Sequence, residues 1–549
     1  MKNLCFAVTL FLIVLLNLKN YAQISHGGTP PTFHQNMENT HFKHINLETP
    51  DFDKLLDEDE FTDKHGIALR FAVSIEAEID FAKAGTWLTL DDGSSICRLA
   101  ISVHEAQALI MYYNTFILPK GGKLYIYNTD KTQVIGAFTH QTNTKRGAYA
   151  TEMITGETTI FEYHAPIGIS ERPQIKIEEV GFVYRTVANE RAFGDAGSCE
   201  VNIKCPEGDA WQDQARGITR IIVKQGGFSV WCTGSLVNNT NFDGKPYLLT
   251  ADHCGPNATP TQYNQWIFYF RYEGDECANP TTDTTFNNYT IIGCSKIAAA
   301  GGAGFESDFK LVLLNDVIPE NYQPYFNGWS TIDETSETGV TIHHPQGDVK
   351  KISTYTASLI STNWGNVPNT HWRVIWAATE TEWGVTEGGS SGSPIFNADG
   401  LIIGQLTGGD ASCINQSGPD YYGKFSHSWH LTGSADSTKL KPWLDPDDSG
   451  VTQLGGFTSA LPKKKTELVS SIFPNPATAK AFVDLGENRQ AETFVYITDL
   501  MGRVILSKKV ANDNSRFVEL DLSGFSGGIY FVQIETNGVR QTLKLIRQP

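Results

Sequence analysis

Long apolar runs are scarce in this 549-residue chain. Only the stretch from Leu4 to Leu16 approaches one, and it is too short to cross a bilayer comfortably. No later segment has the apolar length of a membrane helix, so stable membrane insertion is not expected. The first run follows Lys2 and ends near Tyr21-Ala22-Gln23, which reads as a signal peptide over 1–23 and as export through the periplasm. Positive charge is also in deficit: 43 Lys and Arg against 61 Asp and Glu leave a net charge of -18. That balance argues against nucleic acid and anionic membranes as partners. Metal-ligand spacing is missing too. His343-His344 are adjacent side chains with no further ligand cluster, so neither a metal nor a cofactor is expected.

What is present is mostly strand signal. Residues 24–66 are polar and aperiodic and are expected to be a loosely ordered leader. From 67 to 186 short alternating runs, such as Trp87-Leu88-Thr89-Leu90 and Lys123-Leu124-Tyr125-Ile126-Tyr127, are separated by Gly, Asn and Asp turns. One segment there, Val103 to Tyr113, is read as a helix. The region 194–450 is again short strands, and holds seven of the nine cysteines once Cys5 and Cys97 are set aside. Export permits these to pair, with one thiol left over. A linker over 451–466, containing Lys463-Lys464-Lys465, leads to 467–549, whose even strand spacing predicts a small β-sandwich. The lysine run reads equally as a self-cleavage site between this segment and what precedes or as an ordinary solvated linker.

The chemistry concentrates in Thr386-Glu387-Gly388-Gly389-Ser390-Ser391-Gly392-Ser393-Pro394-Ile395-Phe396. Taken as G-x-S-x-G, it puts a nucleophile at Ser390 on the elbow of an α/β-hydrolase, with Asp420 and His427 downstream. Taken as G-x-S-G-x-P, it puts the nucleophile at Ser391 of a chymotrypsin-like protease. The first reading needs strands alternating with helices, and that alternation is absent. The second needs the order His, Asp, Ser. Thr250-Ala251-Asp252-His253-Cys254 closes an apolar strand, and Ser307-Asp308 opens another. His253 would take the Ser391 proton, and Asp308 would fix its tautomer. The N–H groups of Gly389 and Ser391 would form an oxyanion hole, each donor contributing roughly 2.7–4 kcal/mol.

Gly197-Ser198-Cys199, Cys205-Pro206-Glu207-Gly208-Asp209, Cys232-Thr233-Gly234-Ser235-Leu236-Val237-Asn238-Asn239-Thr240, Ile342-His343-His344-Pro345 and Gly404-Gln405-Leu406 resemble the bacterial lysyl endopeptidases over about 194–450. The resemblance implies an all-β, chymotrypsin-like double β-barrel and cleavage of protein or peptide substrates after lysine by a monomer. It implies the disulfides Cys199–Cys413, Cys205–Cys277 and Cys232–Cys254, and a β-rich pro-segment over 24–193. Its pocket acid maps onto Asp420 and its flanking aromatic onto Trp364. Thr407, Gly408 and Gly409 would pair with substrate backbone. The family usually has histidine where Thr407 stands, which leaves strict preference for lysine over arginine open.

Maturation departs from trypsins as well. Ser390 replaces the aspartate that trypsins pair with their new N-terminus, so a start near Gly194 is expected to be held by Cys199 instead. The basic residues nearest that start are Arg185 and Arg191, which points to arginine tolerance or to another processing protease. Phe473-Pro474-Asn475-Pro476, Asp499-Leu500-Met501-Gly502-Arg503 and Gly528-Ile529-Tyr530-Phe531-Val532 resemble the sorting domain of the type IX secretion system. That implies its machinery as a partner and a secreted or cell-surface destination.

Overall fold

The computed structural model describes residues 27–33, 41–64, 68–143, 146–185, 196–280, 289–300, 306–365, 367–430, 435–458, 471–485, 493–500, 503–510, 517–536 and 539–548. The expected signal peptide, Arg191, the start near Gly194 and Lys463–Lys465 lie outside these residues. The chain divides into two units, Met1–Ser459 and Ala460–Pro549.

The first unit contains two barrel-like sheets and an N-terminal β-layer. Ile218–Gln225, Phe228–Leu236, Tyr247–Ala251, Ile267–Phe270, Cys294–Ala299 and Phe309–Leu314 form antiparallel pairs that curl into the first barrel. The second is built from Gly339–His343, Lys351–Tyr355, Pro394–Asn397, Ile402–Gly409, Asp420–Lys424, Val367–Val374 and Ile360–Trp364. β-branched and aromatic residues dominate these runs, as half-buried pleats favour. The architecture is thus an all-β, double-barrel one of the chymotrypsin type.

The N-terminal layer continues the first barrel's sheet. Arg70–Asp80 pairs antiparallel with Phe228–Leu236, placing Val73 opposite Phe228 and Ala72 opposite Ser229. Every residue of Ile218–Gln225 is buried. The Phe71 ring stacks on Trp231 with centroids 4.0 Å apart, and one apolar cluster runs from Leu99 and Tyr112 through to Ile222, Trp231 and Ile267. Polar contacts seal the same seam: Tyr112 bonds Ser229 at 2.7 Å, Thr290 donates to Glu152 at 2.7 Å, and Lys224 pairs with Glu179 at 2.5 Å.

Two expectations for this layer fail. Residues 43–64 are ordered: Lys43–Leu47 is a strand parallel to Ser95–Val103, and Phe52–Lys64 is a helix. The helix buries Leu55 and Asp59 one turn apart. Asp59 anchors it by accepting from Arg70 at 2.7 Å and from the Tyr184 hydroxyl at 2.6 Å. Its many acidic residues hid the apolar stripe. The segment Val103–Tyr113 is not a helix; Ser95–Val103 and Ala108–Ile117 are strands. Ala108 to Tyr113 are buried on both faces, so the strand has no polar alternation to announce itself.

The three disulfides pair Cys199 with Cys413, Cys205 with Cys277, and Cys232 with Cys254. Cys97 and Cys294 are free and buried. In the second unit, two antiparallel sheets of three and four strands enclose Val483, Val495, Ile497, Val532 and Ile534. No helix among the described residues is long and apolar enough to cross a membrane.

Candidate active site

The turn after Tyr247–Ala251 carries His253 beside the Cys232–Cys254 bridge. Asp308, fully buried, enters Phe309–Leu314 with φ at +53°, a conformation unusual for a side-chain-bearing residue. Its carboxylate lies 2.7 Å from His253 Nδ1 and accepts the His253 main-chain N–H at 3.0 Å. This double grip fixes both the ring and its backbone. Lys310, which sequence reasoning passed over, braces the turn from below. Its buried ammonium donates to the carbonyls of Asp252, Cys254 and Gly255 at 3.0, 3.2 and 2.9 Å. A lysine amid the apolar run Phe309-Lys310-Leu311 was the available signal.

Ser391 sits on the glycine turn that leads into Pro394–Asn397 of the second barrel and bonds to the first. Its carbonyl accepts the Thr233 N–H at 2.8 Å, next to the half-cystine Cys232. Gly388 O accepts from Gln346 N–H at 2.6 Å, while the N–H groups of Gly389 and Ser391 take no partner among the described residues. Gly389 has φ of +92°, and a Cβ there would meet His344 O at 2.9 Å. Only glycine fits the turn that aims these donors.

Ser390 and His343 form the prop beneath. The Ser390 hydroxyl lies 2.7 Å from His343 Nδ1, and His343 Nε2 lies 3.0 Å from Ser353 Oγ. Ser353 donates onward to Val385 O at 2.7 Å. Ser353 therefore accepts from Nε2–H, and Nδ1 accepts from Ser390. Burial pushes His343 down to about 3, which keeps it neutral in this relay. Ser390 is fully buried, and its hydroxyl is taken up in this relay. His427, its partner in the α/β-hydrolase reading, instead pairs with Glu306 at 2.7 Å.

Asp420 is fully buried beside Gly409. Its Oδ2 accepts from Trp376 Nε1 at 2.6 Å and from the Thr386 hydroxyl at 2.7 Å. Burial outweighs these donors and pushes its carboxyl up to about 6. Trp376 and Thr386 were not foreseen, because nothing local ties either to Asp420. Half-buried Trp364 packs on Tyr421, centroids 5.2 Å apart, and on His371 at 5.7 Å. A Cβ on Gly408 would touch the Trp364 ring at 4.0 Å. Thr407 is buried and reaches His371 Nε2 at 3.0 Å. Glu387 accepts the Gly197 N–H through both oxygens, at 3.2 and 3.1 Å, which adds to Cys199 in holding that segment. Among the described residues no group of three or more His, Cys, Asp or Glu could hold a metal ion.

Residues 193–423 match the family described as lysyl endopeptidase, C-terminal domain. Residues 471–548 match the secretion system C-terminal sorting domain. The chain is 25% identical over 393 residues to a lysyl endopeptidase of Pseudomonas aeruginosa, covering 66% of this chain and 80% of that protein. Among solved structures it is similar to protease Anisep from Arthrobacter nicotinovorans, with 16% identity, a TM-score of 0.28, and coverage of 39% of this chain and 91% of that one. It is also similar to the thermostable serine protease AL20 from an extremophilic microorganism, with 13% identity, a TM-score of 0.29, and coverage of 39% and 92%. The chain is a secreted serine endopeptidase whose residues 193–423 resemble the lysyl endopeptidase C-terminal domain and whose residues 471–548 resemble a type IX sorting domain.

Proposed function

We propose that the enzyme hydrolyses peptide bonds after lysine through an acyl-enzyme at Ser391. The observation that carries this reading is a fully buried carboxylate, Asp420, held by three neutral donors (Trp376, Thr386 and the Ala411 N–H) and paired with no cation among the described residues. His253 acts as general base toward the Ser391 hydroxyl and then as general acid toward the leaving amine. Asp308, against His253 Nδ1, holds the tautomer that leaves Nε2 free to take the proton and stabilises the imidazolium that follows. The Gly389 and Ser391 N–H groups meet the oxyanion. A lysine ammonium entering the pocket pairs with Asp420; a neutral side chain would leave that carboxylate buried and unpaired, which is costly. Thr407 to Gly409 offer their edge to the substrate backbone.

The pro-segment over 24–193 and the linker over 451–466 are the places where processing frees the mature, monomeric enzyme, and the tail engages the secretion machinery. Arginine is the second side chain the pocket accepts, since Thr407 is smaller than the histidine usual there. A fluorophosphonate probe is expected to label Ser391 in the matured protein and to spare Ser391→Ala. Equal labelling of both rejects the nucleophile. Peptide-library profiling tests the pocket, and indifference of cleavage to Asp420→Ala rejects it.

A further inference from the structure

His371 lies on Val367–Val374, away from every motif that marks the site. Its side chain is completely buried. Both ring nitrogens are engaged by threonine hydroxyls, Nδ1 by Thr370 at 2.8 Å and Nε2 by Thr407 at 3.0 Å. The Thr370 hydroxyl donates to Val367 O at 3.4 Å. It therefore accepts from Nδ1–H, and Thr407 donates to Nε2. One face of the ring lies 5.7 Å from Trp364, inclined at 31°. The titratable groups that act on it are Asp308, His427 and Lys424. Burial pushes it down to about 4, so it is a neutral imidazole at working pH.

His371 thus stands where the aromatic Trp364 meets the Thr407 edge of Ile402–Gly409, within electrostatic reach of Asp308. We propose that His371 is a positioning residue that locks Trp364 and Thr407 in the geometry needed to seat the substrate side chain. The proposal rests on the reading that this cleft takes a lysyl side chain. The locking is physical: a ring held at both nitrogens cannot rotate, so the aromatic packed on it and the hydroxyl bonded to it lose freedom before substrate arrives. Pre-paid ordering of this kind lowers the cost of binding.

The test uses the matured enzyme in three variants, His371→Ala, His371→Gln and Thr407→Val, with lysyl and arginyl peptide amides. Fluorophosphonate labelling of Ser391 and the melting temperature report folding. A displacement of ~1 Å in a positioning group can cost up to ~100-fold, so KM for the lysyl peptide is expected to rise about tenfold in His371→Ala, with kcat within about threefold. Thr407→Val should move KM the same way, the preference for lysine over arginine should shrink, and His371→Gln should recover part of the loss. Unchanged KM and preference in folded, labelled variants overturn the proposal. So does a loss confined to kcat, or a glutamine variant no better than alanine. A wild-type enzyme with no lysine preference defeats the pocket reading instead. A KM increase on its preferred peptide would still support His371.

Discussion

The carbonyl oxygen of Leu69 accepts the main-chain N–H of Trp231 at 3.0 Å, and the Leu69 side chain lies against Gly388, just ahead of Ser391. The residue that leads into the strand Arg70–Asp80 therefore lies against the serine turn, while the strand itself pairs along the barrel.

That contact predicts slow labelling of the unprocessed chain. Replacing Leu69 by Gly and Phe71 by Ala strips the side chains that hold the strand, and a buried phenylalanine truncated to alanine costs roughly 3–5 kcal/mol. Fluorophosphonate labelling of Ser391 in the unprocessed double variant is expected to accelerate by about tenfold or more, since each ~1.4 kcal/mol is one decade. An unchanged rate would show that the strand does not guard the turn.

Asp420 predicts an acid limit on binding. Its carboxyl is raised to about 6, so below that pH the free enzyme carries the neutral acid, which cannot pair with an ammonium. Affinity for a simple alkylammonium inhibitor should be flat above pH 6 and fall by about tenfold per unit below it. Asp420→Asn should bind weakly with no such break. Competitive inhibition measured across pH decides, and a wild-type profile that does not bend near 6 counts against the assignment.

The bridge between Cys232 and Cys254, a sequence separation of 22, braces His253. Converting both cysteines to alanine releases a loop whose closure stabilises by about 3 kcal/mol. Calorimetry should show that loss, and Ser391 labelling should fall with it. Full stability without the bridge would show that Asp308 and Lys310 hold the turn unaided.

His343 predicts a stability difference that shrinks in acid. Its folded value is near 3, against 6.5 for the free side chain. As pH falls below 6.5 the unfolded chain takes up a proton that the folded chain refuses, so this contribution declines by about 1.4 kcal/mol per unit until the folded value is reached. Urea midpoints of wild type and His343→Gln should converge from pH 7 toward pH 4. Parallel curves would mean that His343 is not held neutral.

The parts that sequence could reveal are those with local signatures. Gly389-Ser390-Ser391-Gly392 carries its own turn, and Ala251-Asp252-His253-Cys254 ends its own strand. Asp308 opens another, and the fold then brings it to His253. The missed parts depend on distant neighbours. Asp59 needs Arg70 and Tyr184 to explain a buried acid in an acidic helix. Trp376 and Thr386 meet Asp420 only after the second barrel closes. His371 answers to Thr407, 36 residues away. Periodicity failed at Ala108–Ile117 for a related reason: a strand covered on both faces has no polar side to show.

Two cysteines left unbridged have a consequence for the order of events during folding. Cys97 sits in the N-terminal layer and Cys294 in the first barrel, both sealed from solvent. Burial pushes the Cys97 thiol up to about 12 and raises Cys294 well above the ordinary thiol range, so neither offers thiolate for exchange once in place. Before they are covered, each can capture any of the six partners that belong to the native bridges. Correct oxidation therefore favours a chain that collapses first and oxidises second, with apolar burial acting as the kinetic proofreader of its disulfides.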